Sequence, residues 1–225
     1  MVVLVNSRVN LRLRNWPSML MLHRTMNVSL PRLRDELAVQ KRERILNAAQ
    51  LLFYERGFTG TTLDDVAHEM SVTKPFIYTQ FRGKSDLLAA ICLPAMQACV
   101  DAADQAAALP GGPTKRLHAL VESFCVVILQ HQPGIAVFFR EAKHLDPESA
   151  ATIKSLRERF DATLSQIIEE GNAAGEFRVP DVRLAALAIG GMGSWMYEWH
   201  RAEGRLPIDE LAARMADLAL RLVGA

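Results

Sequence analysis

The sequence predicts an all-α protein with a small N-terminal helical unit and a larger C-terminal helical body. Three observations predict it. Apolar residues recur at helical spacing through most of the 225 residues, with no stretch of strand-like alternation. Prolines and glycines gather at a few breaks, of which "LPGGP" (Leu109–Pro113) is the strongest. Half of the residues are hydrophobic and only 7% are aromatic, a balance that suits packed helices.

The formal net charge is +1, so no global field demands a polyanion or a membrane surface, and any such argument has to be local. The charge is unevenly spread. Residues 1–34 hold Arg8, Arg12, Arg14, Arg24, Arg32 and Arg34 and no acid, whereas 92–225 hold thirteen Lys/Arg against seventeen Asp/Glu. The first segment has no apolar periodicity. It reads as a basic, disordered extension or as a start set too far upstream, and alternatively as a basic arm that adds phosphate or minor-groove contacts. No run of about 18 apolar residues is visible, so no membrane span is expected. Cys92, Cys99 and Cys125 lack CxxC or metal-ligand spacing and fall in apolar helical stretches. They read as small core residues in a reducing cytoplasm.

Taken in order, "RDELAVQKRERILNAAQLLFYERGF" places Leu37, Ile45, Ala48, Ala49, Leu52 and Phe53 on one helical face. Asp35 and Glu36 suit its N-terminus and Gly57 its stop. Then "TTLDDVAHEMSVTKPFIYTQF" joins two short amphipathic pieces with almost no loop. Thr62 and Asp65 form a T-x-x-D capping pattern. Leu63, Val66, Ala67 and Met70 make one apolar face, and small Ala67 permits a close crossing. Ser71 fits a tight turn. Thr73 can cap the second piece, Pro75 is tolerated in its first turn, and Ile77 returns to the core. A helix near 85–108 follows, with a kink expected at Pro94. Beyond the "LPGGP" break come helices ending before Pro133, over "GIAVFFREAKHL", from Pro147 to about Gly175, across "PDVRLAALAIGGMGSWMYEWHRAEG", and over "PIDELAARMADLALRLV".

Two short helices crossed over a tight turn are a helix-turn-helix, in which the second helix meets the DNA major groove. Its outward residues are Thr73, Lys74, Phe76, Tyr78 and Thr79. Thr and Phe can touch thymine methyls and Lys can reach guanine. Thr61, Thr62 and Lys84 are placed to hold phosphates. An ordinary helical hairpin would instead bury an apolar second helix.

The segment "RERILNAAQLLFYERGFTGTTLDDVAHEMSVTKPFIYTQFRGKSDLLAAI" resembles the N-terminal domain of the TetR family of bacterial transcriptional regulators. Ile45, Leu46, Ala48, Ala49, Gly57, Phe58, the Thr61–Thr62 cap, Ile77, Tyr78, Phe81 and Lys84 carry the likeness. Pro75, Thr79 and Gln80 depart from the usual Gly, Tyr and His, on or beside the reading surface. The resemblance implies a homodimer that binds a palindromic operator and is released when a small molecule enters the C-terminal domain. It divides the chain into the extension 1–34, a three-helix DNA-binding domain over 35–91 and a ligand-binding and dimerisation domain over 92–225.

In the C-terminal body, Gly190, Gly191 and Gly193 interrupt a helical pattern at a cost of roughly 1 kcal/mol each, which close helix approach would offset. With Leu211, Met215, Leu218 and Leu222 on the last helix, they read as a dimer-forming pair, or else as intrachain core. Phe124, Ile128, Phe138, Phe139, Met192, Trp195 and Trp199 are pocket candidates as a group, though each alone reads as core. Arg140, His131 and His144 could add polar groups or lie at the surface. "REAKHLDPE", "EEGNAAGEFR" and "DVRLAALAIGGMGSWMYEWHRAEGRLP" are similar to TetR members that respond to acyl-CoA thioesters.

No G-x-S-x-G, HExxH, Walker loop or Rossmann glycine pattern is present. His68, His118, His131, His144 and His200 are scattered, and Glu141, Glu169 and Glu170 read as solvated charges. Neither an enzyme nor a cofactor is expected. The remaining alternative is a helical dimer that acts through a protein partner without specific DNA binding.

Overall fold

The computed structural model describes residues 30–225 except Ala202, with side chains from Leu37 onward. Among the described residues, 39–225 form one compact unit, to which the start of the first helix does not belong. Most of the basic extension lies outside the described residues, so neither its expected disorder nor its arm role is addressed by the fold. Its last positions are helical, because α1 (Leu30–Arg56) begins at Leu30 rather than at Asp35. Pro31 sits in its first turn, where a missing N–H breaks no intrahelical bond. The core-facing stripe also starts later than expected. Leu37 is exposed, and Ile45, Ala49, Leu52 and Phe53 are the residues that bury.

The described residues of 39–225 are helical throughout their regular structure. α2 (Leu63–Glu69) and α3 (Lys74–Tyr78) follow α1, and α4 (Lys84–Ala107) leads into the body. Ile45, Leu52, Phe53, Leu63, Val66, Ile77, Phe81 and Leu88 close the N-terminal core around Ala49 and Ala67. Gly57, at φ +73°, ends α1 in the left-handed conformation that a residue with a Cβ resists.

α4 runs through Pro94 without interruption and is the apolar spine of the molecule. By length and composition α4 could cross a membrane, contrary to the sequence expectation, but more than half of its apolar window is buried by its neighbours. α5 (Pro113–Gln130) is the central helix. It packs on α4, α7 (Pro147–Ala174), α8 (Val182–Ser194) and α10 (Ile208–Val223). α6 (Gln132–Glu141) crosses beside α4 and continues into a 3-10 turn at Ala142–His144. The expected single helix over 181–204 is two, because the chain breaks after Ser194 and restarts as α9 (Met196–Trp199). Cys92, Cys99 and Cys125 are buried free thiols, and desolvation pushes each up to about 12.

Candidate DNA-reading surface and effector cavity

The helix-turn-helix is built by local bonds that the sequence announces. Thr62 caps α2: its Oγ1 accepts from the Asp65 N–H at 3.1 Å, while its own backbone N–H donates to Asp65 Oδ2 at 2.7 Å. The Thr62 hydroxyl donates to the same oxygen at 2.6 Å, and these bonds hold the Asp65 carboxyl below its ordinary pKa. At the turn Ser71 takes φ +54°, its N–H donating to the His68 carbonyl at 2.9 Å. Val72 N–H reaches the Ala67 carbonyl at 2.9 Å. Ala67 and Ile77 bury together in the core, as a close crossing requires.

On α3 the exposed groups are Thr73, Pro75, Tyr78 and Thr79. Thr73 holds the N-cap position with extended backbone but makes no side-chain cap, so its hydroxyl is not committed to its own helix. Lys74 reaches back to α2, its ammonium 2.8 Å from Asp64 Oδ2. That hydrogen bond, and the Asp64 charge behind it, raise the Lys74 pKa. Phe76 is half-buried against the core, with the Lys41 ammonium 5.8 Å from its ring centroid. Thr79 donates its hydroxyl to the Phe76 carbonyl at 2.7 Å, leaving it only as an acceptor. The Gln80 carbonyl accepts from Arg42 Nη1 at 3.1 Å, and the same guanidinium lies over the Phe81 ring.

Two expected phosphate contacts have other work. Thr61 is fully buried, and its hydroxyl is shared between the carbonyls of Gly57 at 2.9 Å and Leu52 at 3.2 Å. The Lys84 ammonium donates to the carbonyls of Phe58 at 2.6 Å and Thr61 at 2.8 Å and sits over the Phe58 ring. Both bind carbonyls at the end of α1 and in the α1–α2 connection, where the Phe58 oxygen also accepts from the Thr61 N–H at 3.3 Å. Lys41 and Arg42, which the sequence reading passed over, supply cations beside α3. The "KRER" run at 41–44 was the available signal.

In the body, a cavity of about 280 Å³ opens among α4 to α8. Phe124 and Ile128 of α5, Phe138 and Phe139 of α6, and Trp195 line it, as expected, while Met192 and Trp199 do not. Met96 and Cys99 of α4, Ile135 of α6, Leu156 and Phe160 of α7, and Leu187 of α8 complete the apolar wall. Phe124 and Phe160 meet at 4.5 Å between ring centroids. The polar groups are Arg157, Asp161 and Ser194 rather than Arg140, His131 and His144. Burial raises the Asp161 pKa against the opposing pull of the Arg157 guanidinium.

Arg140 and His144 instead tie the body to the reading head. Arg140 Nη1 donates to the Tyr54 carbonyl at 2.9 Å, and the His144 ring stacks on Phe58 at 4.7 Å. Glu141 is buried, not solvated. Its carboxylate lies 3.7 Å from His144 Nε2 and against Gly57. His131 stands between α5 and α6, and its N–H donates to the Val127 carbonyl.

The three glycines of α8 divide. A Cβ on Gly193 would stand 2.6 Å from the Phe124 ring, so close approach explains it. Gly190 and Gly191 would meet nothing within 4 Å, and both line the cavity. The outer faces of α8 and α10 leave Leu184, Leu187, Trp195, Leu218 and Leu222 exposed, whereas Met215 belongs to the intrachain core.

Residues 45–91 match the description of bacterial regulatory proteins of the tetR family, and residues 110–223 match the tetracyclin repressor-like C-terminal domain. The crystal structure of the TetR family transcriptional regulator PfmR from Thermus thermophilus superposes with a TM-score of 0.73 at 31% identity, covering 79% of this chain and 97% of that one. The transcriptional activator FasR of Mycolicibacterium smegmatis is 26% identical over 70% of this chain and 73% of its own length. AibR, in a crystal structure with isovaleryl coenzyme A and operator DNA, shares the fold with a TM-score of 0.69 at 23% identity, covering 79% of this chain and 97% of that one. The relatives are transcriptional regulators and not enzymes. The chain belongs to the TetR family of DNA-binding transcriptional regulators.

Proposed function

We propose that this protein is a homodimeric repressor that binds a palindromic operator through α3 and is released by an acyl-CoA-type effector seated in the α4–α8 cavity. The observation that carries the reading is the pairing of an exposed α3 face with a mostly apolar cavity, with α6 standing between that cavity and the end of α1. Of the α6 side chains that line the cavity, Phe138 and Phe139 adjoin the Arg140 and Glu141 groups that touch the end of α1. An effector that displaces α6 therefore acts on the seat of the reading head. The coupling needed is about 1–3 kcal/mol, and it requires that the effector favour one of the two arrangements.

Thr73, Pro75, Tyr78 and Thr79 meet base edges or the adjoining backbone, with Lys74, Phe76 and Gln80 behind them. Thr62, Lys41 and Arg42 approach phosphates. The DNA-binding part spans 35–91 and the effector and dimer part 92–225. A second copy covers Leu184, Leu187, Trp195, Leu218 and Leu222, bringing two α8–α10 pairs into a four-helix bundle. The protein works in the cytoplasm, where its operator is. The acyl-CoA reading is supported by the mostly apolar wall with few polar groups, by the sequence likeness of the C-terminal half to acyl-CoA-responsive members, and by the coenzyme A thioester bound to AibR.

The test is a binding titration on the DNA upstream of the gene for this protein, at two salt concentrations, with and without a panel of acyl-CoAs. The reading expects palindrome-specific binding that weakens steeply with salt and is released by at least one thioester. Specific binding that no thioester releases would discard the effector class and keep the regulator.

A further inference from the structure

The cavity adjoins two surface grooves, and their charges differ. Toward α6, it shares Phe138, Arg157 and Asp161 with a groove that continues past Ala142, Leu145 and Ile153 to Lys154. Toward α8, it shares Asp161 and Leu187 with a groove lined by Glu158, Glu169 and Arg183. The first exit sets two cations against Glu158 and Asp161. The second sets one cation against Glu158, Asp161 and Glu169, two formal charges more negative. Lys143, exposed and next in sequence to Ala142, adds a further cation near the first route.

The second route also runs beside the exposed Leu187 of α8, on the face assigned above to the partner subunit. A ligand tail leaving that way would stand between two subunits. The first route leads to open surface. Its cations are also available. Lys154 is held only by an exposed contact to Glu158 at 3.6 Å, and Arg157 is exposed with its guanidinium 6.0 Å from the Phe138 ring centroid.

We infer that the effector lies with its apolar end in the cavity and its phosphate-bearing end in the α6–α7 groove, where Arg157 and Lys154 bind the phosphates. This rests on the acyl-CoA reading and deepens it, naming the residues that tell a coenzyme A thioester from the same acyl group on an uncharged carrier. Arg157, at the rim of the cavity, and Lys154, beyond it, are then the specificity determinants, and Arg183 is not.

The experiment measures release of operator DNA by octanoyl-CoA and by S-octanoyl-pantetheine, which lacks the phosphates, with shorter and longer acyl pairs alongside. The proteins are wild type, the double variant Lys154→Gln with Arg157→Gln, and Arg183→Gln. DNA affinity without effector, measured for each protein, sets the baseline from which release is read. The inference expects the double variant to need roughly threefold to tenfold more acyl-CoA, with no change toward acyl-pantetheine and none in Arg183→Gln. Equal responses of the double variant and wild type to acyl-CoA would overturn the route while leaving the effector class intact. A loss confined to Arg183→Gln would overturn it in favour of the α8 exit. If no thioester of either kind releases the wild type, the effector reading fails and the inference fails with it.

Discussion

The reading head and the effector body bury their surfaces differently. In the head, polar groups of the loops are turned onto backbone: Thr61 and Lys84 satisfy four carbonyl contacts between them, and Thr62 and Asp65 cap α2 reciprocally. Phe53, Ile77, Leu87 and Phe81 are buried with almost no exposed surface. The body keeps a cavity of about 280 Å³, two helical glycines with no packing neighbour, and leucines and tryptophans on its outer face. A head that presents a short helix to DNA has to be rigid, whereas a body that responds to a ligand has to leave room and surface for partners. The difference is therefore between interactions completed within the chain and interactions completed by something else.

The largest expected effect breaks the body. Replacing Leu218 and Leu222 together by Glu places charge on the outer face of α10 while leaving the buried Met215 and Ala219 in place. Sedimentation should show a monomer, and operator affinity should fall about 100-fold or more, because the second head no longer binds as an intramolecular event. A dimer that survives would move the interface elsewhere.

In the head, Lys84→Met should lower thermal stability by about 1–2 kcal/mol, through loss of two charge-assisted bonds to carbonyls. The slope of log affinity against log salt should barely change. A slope reduced by about one would instead return Lys84 to the phosphates. Thr62→Ala is the next step down, at about 1 kcal/mol from the lost cap. Because the folded Asp65 pKa is depressed, the contribution is present above the ordinary carboxylate pKa and is lost as pH falls through the folded value. The gap between variant and wild-type melting temperatures should therefore shrink in acid. The smallest effect is a gain. Ser71→Gly relieves the left-handed turn, offset by the entropy of glycine, for a net of up to about 1 kcal/mol. Circular dichroism melts would read it.

The head was legible because its signals are local. Thr62 with Asp65, Gly57, Ser71, Ala67 and Ile77 announce caps, turns and a crossing within a few residues of one another. What spacing could not show is the second set of partners of Thr61 and Lys84: only the three-dimensional course of the α1–α2 connection brings the carbonyls they bind within reach. The body was legible as helices and as an apolar group, but the cavity is a long-range property. Met96, Cys99, Leu156 and Phe160 have the same periodicity as core residues. Nothing in the spacing separates Gly193, pressed against Phe124, from Gly190 and Gly191, which face space. The break after Ser194 carries no proline to mark it, so one helix was expected where two stand. The sequence leaves Arg140 and His144 open between the pocket and the surface, and spacing could not show that they turn to Tyr54 at the end of α1 and to Phe58 just beyond it.

The most direct test of the central claim is selection of bound sites from a random duplex library, with wild-type protein and with Thr73→Ala and Tyr78→Ala. The account predicts one enriched palindrome, with base preferences that relax within each half-site in the two variants, since both side chains are exposed on α3 and neither is part of the core. Absence of any enriched sequence with the wild-type protein, or preferences indifferent to both substitutions, would contradict it.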